Sequence, residues 1–332
     1  MADKKDLVCQ LQFRDSAKYP NNLFLIASIE VNVILTLISN AALIFGLYNT
    51  TRSKKYTRNK KLVMLLSVTD IINALVVSTS QIVLLKRVES CGCLEISIII
   101  FFRFWFLGVT CSIFLMICLE RFITVVYNNK ICGIYVKDSY SVGYLIFVAF
   151  ATLIAGICNG FIYATLNLYL HFLLYIGTGS LALIFLIMIV VTNVLMLHGV
   201  KSNLRNRSLE FQRNAAIENH LTKTVVITSL AHVFFFCPFI AAQFYMSFIV
   251  SKNETSLISP AHKILMWTVV LRKSSSWFNA TIYTLRSRKI SKLYVSKINS
   301  IFRSCSGRSS LTTKEGLKKN TNFILKFNRI SR

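Results

Sequence analysis

Long apolar runs broken by short polar segments dominate this sequence. Seven stretches are long and apolar enough to be read as helices crossing a membrane, a span needing about 20 mainly apolar residues. They fall at roughly 22–48, 62–85, 96–127, 140–162, 172–198, 221–250 and 262–285. Unpaired backbone groups find no water in a bilayer core, so the spans are predicted to be helical rather than irregular. The pattern after the last run differs. In LRSRKISKLYVSKINSIF, Ile290, Leu293, Tyr294, Ile298, Ile301 and Phe302 recur at helical spacing against a face of lysines and arginines. That periodicity predicts an amphipathic helix lying on a membrane surface. The fold expected is all-α: a seven-transmembrane helix bundle with a short amphipathic helix after the seventh span. The organisation expected is an amino tail over 1–21, the spans over 22–285, the surface helix over 286–304 and a basic tail over 305–332.

Composition agrees. The chain is 54% hydrophobic and 15% charged, with a mean hydropathy of +0.57; soluble domains are nearer a quarter charged. The net charge of +25 would suit nucleic acid. The basic residues, however, cluster between apolar runs and in the tail, so membrane lipids are the expected partner and nucleic acid is not. Their distribution sets the expected orientation. The first, third and fifth interhelical segments and the tail after Tyr283 hold twenty-five lysines and arginines, against seven on the opposite side. By the positive-inside rule the amino terminus is extracellular and the carboxyl terminus cytoplasmic. The amino-terminal residues lack the apolar core of a cleaved signal peptide, so the first span is expected to act as the signal. The Asn253 sequon falls outside and is a glycosylation candidate, whereas those at Asn49 and Asn206 fall inside. Cys305, at the end of the amphipathic helix, is a palmitoylation candidate. Cys9, Cys91 and Cys93 fall outside, where a disulfide is allowed, with the pairing open.

Ionisable groups inside a membrane are costly and point to function. Asp70 stands mid-span in LLSVTDIINALVV, at the depth of Asn40, Thr110, Ser275, Ser276 and Asn279. Together these would form a polar pocket suited to water or Na+. Glu120 and Arg121 end the third run, and Glu218 opens the sixth. A pair between Arg121 and Glu218 would tie two helices together, and breaking it would open a cleft, as a two-state switch requires. Pro238 removes a backbone hydrogen bond from the sixth span and is expected to kink it, one turn after Phe235 and Phe236. Arg103, in the outer half of the third span, and Lys273, in the seventh, are candidate ligand contacts with Phe239; buried cations favour an anionic ligand group. For Arg103, pairing with Glu95 or snorkelling outward is the competing reading.

These residues resemble the signature positions of rhodopsin-like G-protein-coupled receptors. The resemblance rests on Asn40, Asp70, the Glu120-Arg121-Phe122 triplet, Phe236-Cys237-Pro238 and Asn279-Ala-Thr-Ile-Tyr283, and covers roughly 22–303. It implies a plasma-membrane receptor for a small-molecule, lipid or peptide ligand, coupled to a heterotrimeric G protein. It further implies that Arg121 enters the G-protein interface, that Glu218 restrains it, that Asp70 with Thr110, Ser276 and Asn279 holds sodium, and that Tyr283 swings inward on activation. The chain departs from the pattern in several places. Phe236 stands where the family carries tryptophan and Ala280 where it carries proline, and the fifth span has neither its proline nor its tyrosine. The fourth span lacks its usual tryptophan, and the second outer loop is short and has no cysteine. Several of these gaps resemble the melanocortin, lysophospholipid, cannabinoid and adenosine-type branch.

Three other readings compete. Lys273 stands where opsins carry their retinal lysine, so a photoreceptor with retinal on Lys273 is the main alternative; Glu95, at the outer mouth of the third span, is one candidate counterion. A transporter or channel would call for inverted repeats or broken helices, which the pattern lacks. An intramembrane enzyme is not expected, since no catalytic set falls at matching depths and His232 reads as a core hydrogen-bonding residue.

Overall fold

In the computed structural model the described residues are 22–51, 58–86, 93–126, 138–164, 168–205, 209–252 and 255–306. Those of the first compact unit, Met1–Ser287, form seven long helices. They are α1 (Asn22–Thr51), α2, α3 (Cys93–Val126), α4 (Asp138–Ala164), α5 (Leu168–Arg205), α6 (Leu209–Ser251) and α7 (Thr255–Arg286). α2 runs through Arg58–Asn73, a π-helical turn at Ala74–Ser78, and Thr79–Lys86. A second unit, Arg288–Arg332, contains α8 (Arg288–Ser306), the most amphipathic of the described helices, as its spacing of apolar and basic residues predicts.

Among the described residues five helices are long and apolar enough to cross a membrane: 23–50, 59–86, 94–124, 171–199 and 222–251. The hydropathy pattern predicts seven. The described apolar part of α4 is Ile146–Phe161, shorter than a full span. α7 falls short because Arg272, Lys273 and a run of serines interrupt it. Those polar residues point inward, so they lower the helix's hydropathy without reaching its surroundings: Arg272, Lys273 and Ser275 are all buried. The outward faces are largely apolar, with Phe147, Phe150, Phe161, Ile184, Val194, Phe234 and Phe248 exposed. So much exposed apolar surface is foreign to a soluble domain and natural for helices solvated by lipid. The chain is a helical protein of multi-pass membrane architecture.

The helices of the first unit pack in a closed circuit. α1 touches α2 and α7, α7 touches α6, α6 touches α5, and α3 contacts α2, α4, α5 and α6. Small residues let α3 and α4 approach closely. A Cβ on Gly160 would lie 3.0 Å from the Ser97 carbonyl oxygen, and one on Gly108 would overlap Thr152 Cγ2. Such contacts replace the hydrophobic driving force that lipid does not supply. One core cluster, with Ile100, Phe236, Phe239, Ile240 and Val269, joins α3, α6 and α7. A smaller one, with Ile29, Leu85 and Met266, joins α1, α2 and α7.

The helices extend beyond their apolar runs. α5 ends at Arg205 rather than near 198, and α6 begins at Leu209 rather than 221. Hydropathy marks the part of a helix solvated by lipid; the polar extensions keep their own backbone hydrogen bonds and need no apolar face. α6 is continuous through Pro238.

Candidate functional site

Most hydroxyl and amide side chains within the helices bond their own backbone, as is usual where water is scarce. Thr178 donates to Leu174 O at 2.8 Å, Asn40 to Thr36 O at 2.9 Å and Asn193 to Ile189 O at 2.6 Å. Side-chain bonds between helices are therefore the informative ones. They gather in three layers, described from the end that carries Glu30 and Lys86 to the end that carries Arg121.

In the first layer Lys273 Nζ donates to Ser78 Oγ at 3.0 Å and to Gln81 Oε1 at 2.8 Å. Ser78 closes the π turn of α2, so the lysine binds the segment where that helix is wound wide. Gln81 in turn lies 3.8 Å from Met266 Sδ through its amide nitrogen. Neighbouring Arg272 points towards α6. Its guanidinium sits 5.0 Å from the ring centre of Phe239 and 5.7 Å from that of Phe236. Arg103 of α3 lies within electrostatic range of Arg272, Lys273 and His262. Glu95, the proposed counterion or partner, is exposed on the first turn of α3. Nearby, Asn32 of α1 accepts from Ser274 at 2.7 Å and from Trp277 Nε1 at 3.1 Å, fixing α1 to α7.

The second layer holds the proposed cation pocket. Asp70 is 2% exposed, and the Ser276 hydroxyl is its hydrogen-bonding neighbour. Asn40 of α1 and Ser275 and Asn279 of α7 are buried too. Asp70 Oδ1, Thr110 Oγ1 and Asn279 Oδ1 have no hydrogen-bond partner. Each of these oxygens, one of them on a carboxylate, is of the hard type that cations such as Na+ accept. Between this layer and the first, His232 lies in a stack, 4.5 Å from the Phe114 ring and 4.0 Å from that of Phe236. The sequence suggested a core hydrogen-bonding histidine. It is in the core, but neither ring nitrogen is bonded; the two flat neighbours occupy its faces and no polar group meets its edge.

The third layer surrounds Arg121. Its Nε lies 3.7 Å from Glu120 Oε2, an ion pair too long for a hydrogen bond. The Tyr283 side chain reaches the same region, within electrostatic range of Arg121 and Glu120 and next to Thr228 of α6. Cys118 of α3 and Ser229 of α6 face each other at 3.7 Å. Arg286 Nε donates to Thr224 Oγ1 at 2.9 Å, joining α7 to α6. Arg121 Nε, Tyr283 OH, Asn193 Oδ1 and Thr222 Oγ1 are buried without a hydrogen-bond partner.

The side chains of Glu218 and Cys305, and the whole of Asn253, Cys9 and Cys91, lie outside the described residues, as does the Cys93 side chain. Ser78, Gln81, Asn32 and Arg272 did not stand out in the sequence. Arg272 carried a signal, a second cation beside Lys273 in mid-helix; the other three look like ordinary polar helix residues until their neighbours are known. No family model matches the chain, and no curated protein matches it.

Proposed function

We propose that the chain is a seven-span, rhodopsin-like receptor of the plasma membrane that passes an extracellular signal to a heterotrimeric G protein. In this reading α4 and α7 also cross the membrane, their polar residues turned inward, with the amino terminus outside. The observation that carries it is the layer around Arg121. Polar groups from α3, α6 and α7 converge there, and several are buried without a partner. A buried polar group without a partner costs about 1–3 kcal/mol. An arrangement that leaves several unmet is poised towards another that meets them, which is what a two-state element needs.

The roles are those the resemblance implies. Glu120, 3.7 Å from Arg121, and Glu218 would hold Arg121 in the inactive arrangement. Moving α6 about Pro238, beside Phe236, frees Arg121 for the G protein and lets Tyr283 turn towards it. Asp70, Thr110, Ser276 and Asn279, with Asn40 and Ser275 behind them, would hold Na+. The ion would supply positive charge to an otherwise uncompensated carboxylate and favour the inactive packing of α2, α3 and α7. Palmitate on Cys305 and the basic face of α8 would keep the carboxyl-terminal unit at the lipid surface.

The photoreceptor alternative has one observation in its favour, a buried Lys273 amine held by neutral partners. Against it, a protonated Schiff base needs a nearby anion, and Glu95 is exposed. A visible absorption band after adding retinal, lost in Lys273→Ala, would support it.

The test of the receptor reading is basal second-messenger output in cells, at matched surface level. Glu218→Ala is expected to raise output and Arg121→Ala to abolish it. If neither variant changes output in any pathway, the signalling role is wrong.

A further inference from the structure

Lys273 and Arg272 carry more hydrogen-bond donors than the acceptors that meet them. A lysine ammonium has three donors and an arginine guanidinium five, and neither accepts. Lys273 meets two acceptors, Ser78 and Gln81, both neutral. Arg272 is 6% exposed, and its Nε has no partner. Its contacts are the faces of Phe236 and Phe239, which attract the charge but accept none of its protons in the manner of an oxygen. Arg103 adds a third positive charge from the facing helix. Two like charges side by side in an apolar interior, as on Arg272 and Lys273, repel one another and lose hydration as well, so such a pair is favoured where an anion completes it. The surroundings are apolar: Phe236 and Phe239 belong to the core cluster, with Phe104 and Leu107 packed against it.

We propose that the protein binds an amphiphile with an oxyanion head where α3, α6 and α7 meet, the head on Arg272 and Lys273 and the apolar body against Phe236 and Phe239. A phosphate monoester should bind more tightly than a carboxylate, because it brings close to two charges and three acceptor oxygens. The two basic residues diverge from α7, Lys273 towards α2 and Arg272 towards α6, and both lie within electrostatic range of Arg103. That such a ligand activates the protein rests on the receptor reading above; that it binds does not.

Binding is therefore measured without a G protein, on the whole chain purified in dodecyl maltoside, as the rise in unfolding temperature with added probe. The probes are decyl phosphate, decanoate, decanol and inorganic phosphate. Decyl phosphate should stabilise the protein saturably, at concentrations about tenfold below those needed for decanoate, as one extra charged contact implies. Decanol and inorganic phosphate should not. Arg272→Gln should weaken the decyl phosphate effect about tenfold or more, and Lys86→Gln, which removes an exposed cation, should leave it unchanged. If Arg272→Gln does not fold, Lys273→Gln and Arg103→Gln make the same test. Equal stabilisation by decanol or inorganic phosphate, or a decyl phosphate effect indifferent to the pocket cations, overturns the proposal. Either of those failures leaves the Arg121 and Glu218 experiment standing. A bound amphiphile with no change in output when those two residues are altered would sink the receptor reading instead.

Discussion

Lys273 of α7 donates to Gln81 of α2 at 2.8 Å, and through that bond a buried cation is held by a neutral amide rather than by an acid. The pair gives a test of its own. Gln81→Leu leaves Lys273 with Ser78 alone and should destabilise the protein by about 2 kcal/mol. Adding Lys273→Met to that variant removes the stranded charge together with its unmet donors, and most of the loss should be regained. Thermal unfolding of the wild type, the two single variants and the double variant in detergent reads this. Simple additivity would mean the bond does not couple the helices.

The glycines of α3 and α5 should respond in opposite ways. Gly108→Ala forces a Cβ to within 2.8 Å of Thr152 Cβ, which a rotamer change cannot relieve. It should cost about 1–3 kcal/mol. Around Gly177 a Cβ meets nothing within 4 Å. Gly177→Ala should be neutral or stabilise by up to about 1 kcal/mol through helix propensity. Unfolding midpoints that rank the two the other way would show that α3 and α4 are not packed through Gly108.

His232 should tolerate an aromatic replacement better than a small one. The ring is 1% exposed and stacked on both faces, and its nitrogens are unbonded. His232→Phe keeps the stack and removes two unmet polar atoms, whereas His232→Ala opens a cavity at a cost of roughly 2–4 kcal/mol. A His232→Phe protein less stable than His232→Ala would point to a polar role for the imidazole.

Sodium should stabilise the protein through Asp70. Replacing choline chloride with sodium chloride at constant ionic strength is expected to raise the unfolding temperature of the wild type. Asp70→Asn should abolish the difference, since it removes the one carboxylate of the donor set. An equal response in both proteins would assign the effect to salt in general and remove Na+ from the second layer.

Much of the fold is legible in the sequence because lipid writes a simple signature into a helix: long apolar runs, with charge at the ends. The signature fails where a helix turns its polar residues inward. α7 carries Arg272, Lys273 and Ser275 buried within the bundle, and its composition resembles that of a shorter or wetter element. Depth in a span is readable by counting residues, so Asp70 and Ser276 can be matched from the sequence alone. Rotation about the helix axis is harder to read. The π turn at Ala74–Ser78 carries no distinctive residue, yet it rotates the succeeding turns of α2 relative to the preceding ones. Ser78 and Gln81 escape a sequence reading for that reason. His232 shows the remaining limit: hydrogen bonding depends on what faces a ring edge, and a single sequence does not say.

The length of α6 sets a mechanical ratio. From Pro238 to Leu209 the helix runs without a break, roughly 40 Å at the usual rise per residue. In the proposed switch its polar beginning would be an arm, and the proline its fulcrum. A tilt of about 10° at the fulcrum would sweep the far tip through roughly 7 Å, while the rings of Phe236 and Phe239 beside it would shift by less than about 1 Å. A displacement no larger than a side-chain adjustment at one end of the molecule would thus be delivered at the other on the scale of a helix radius.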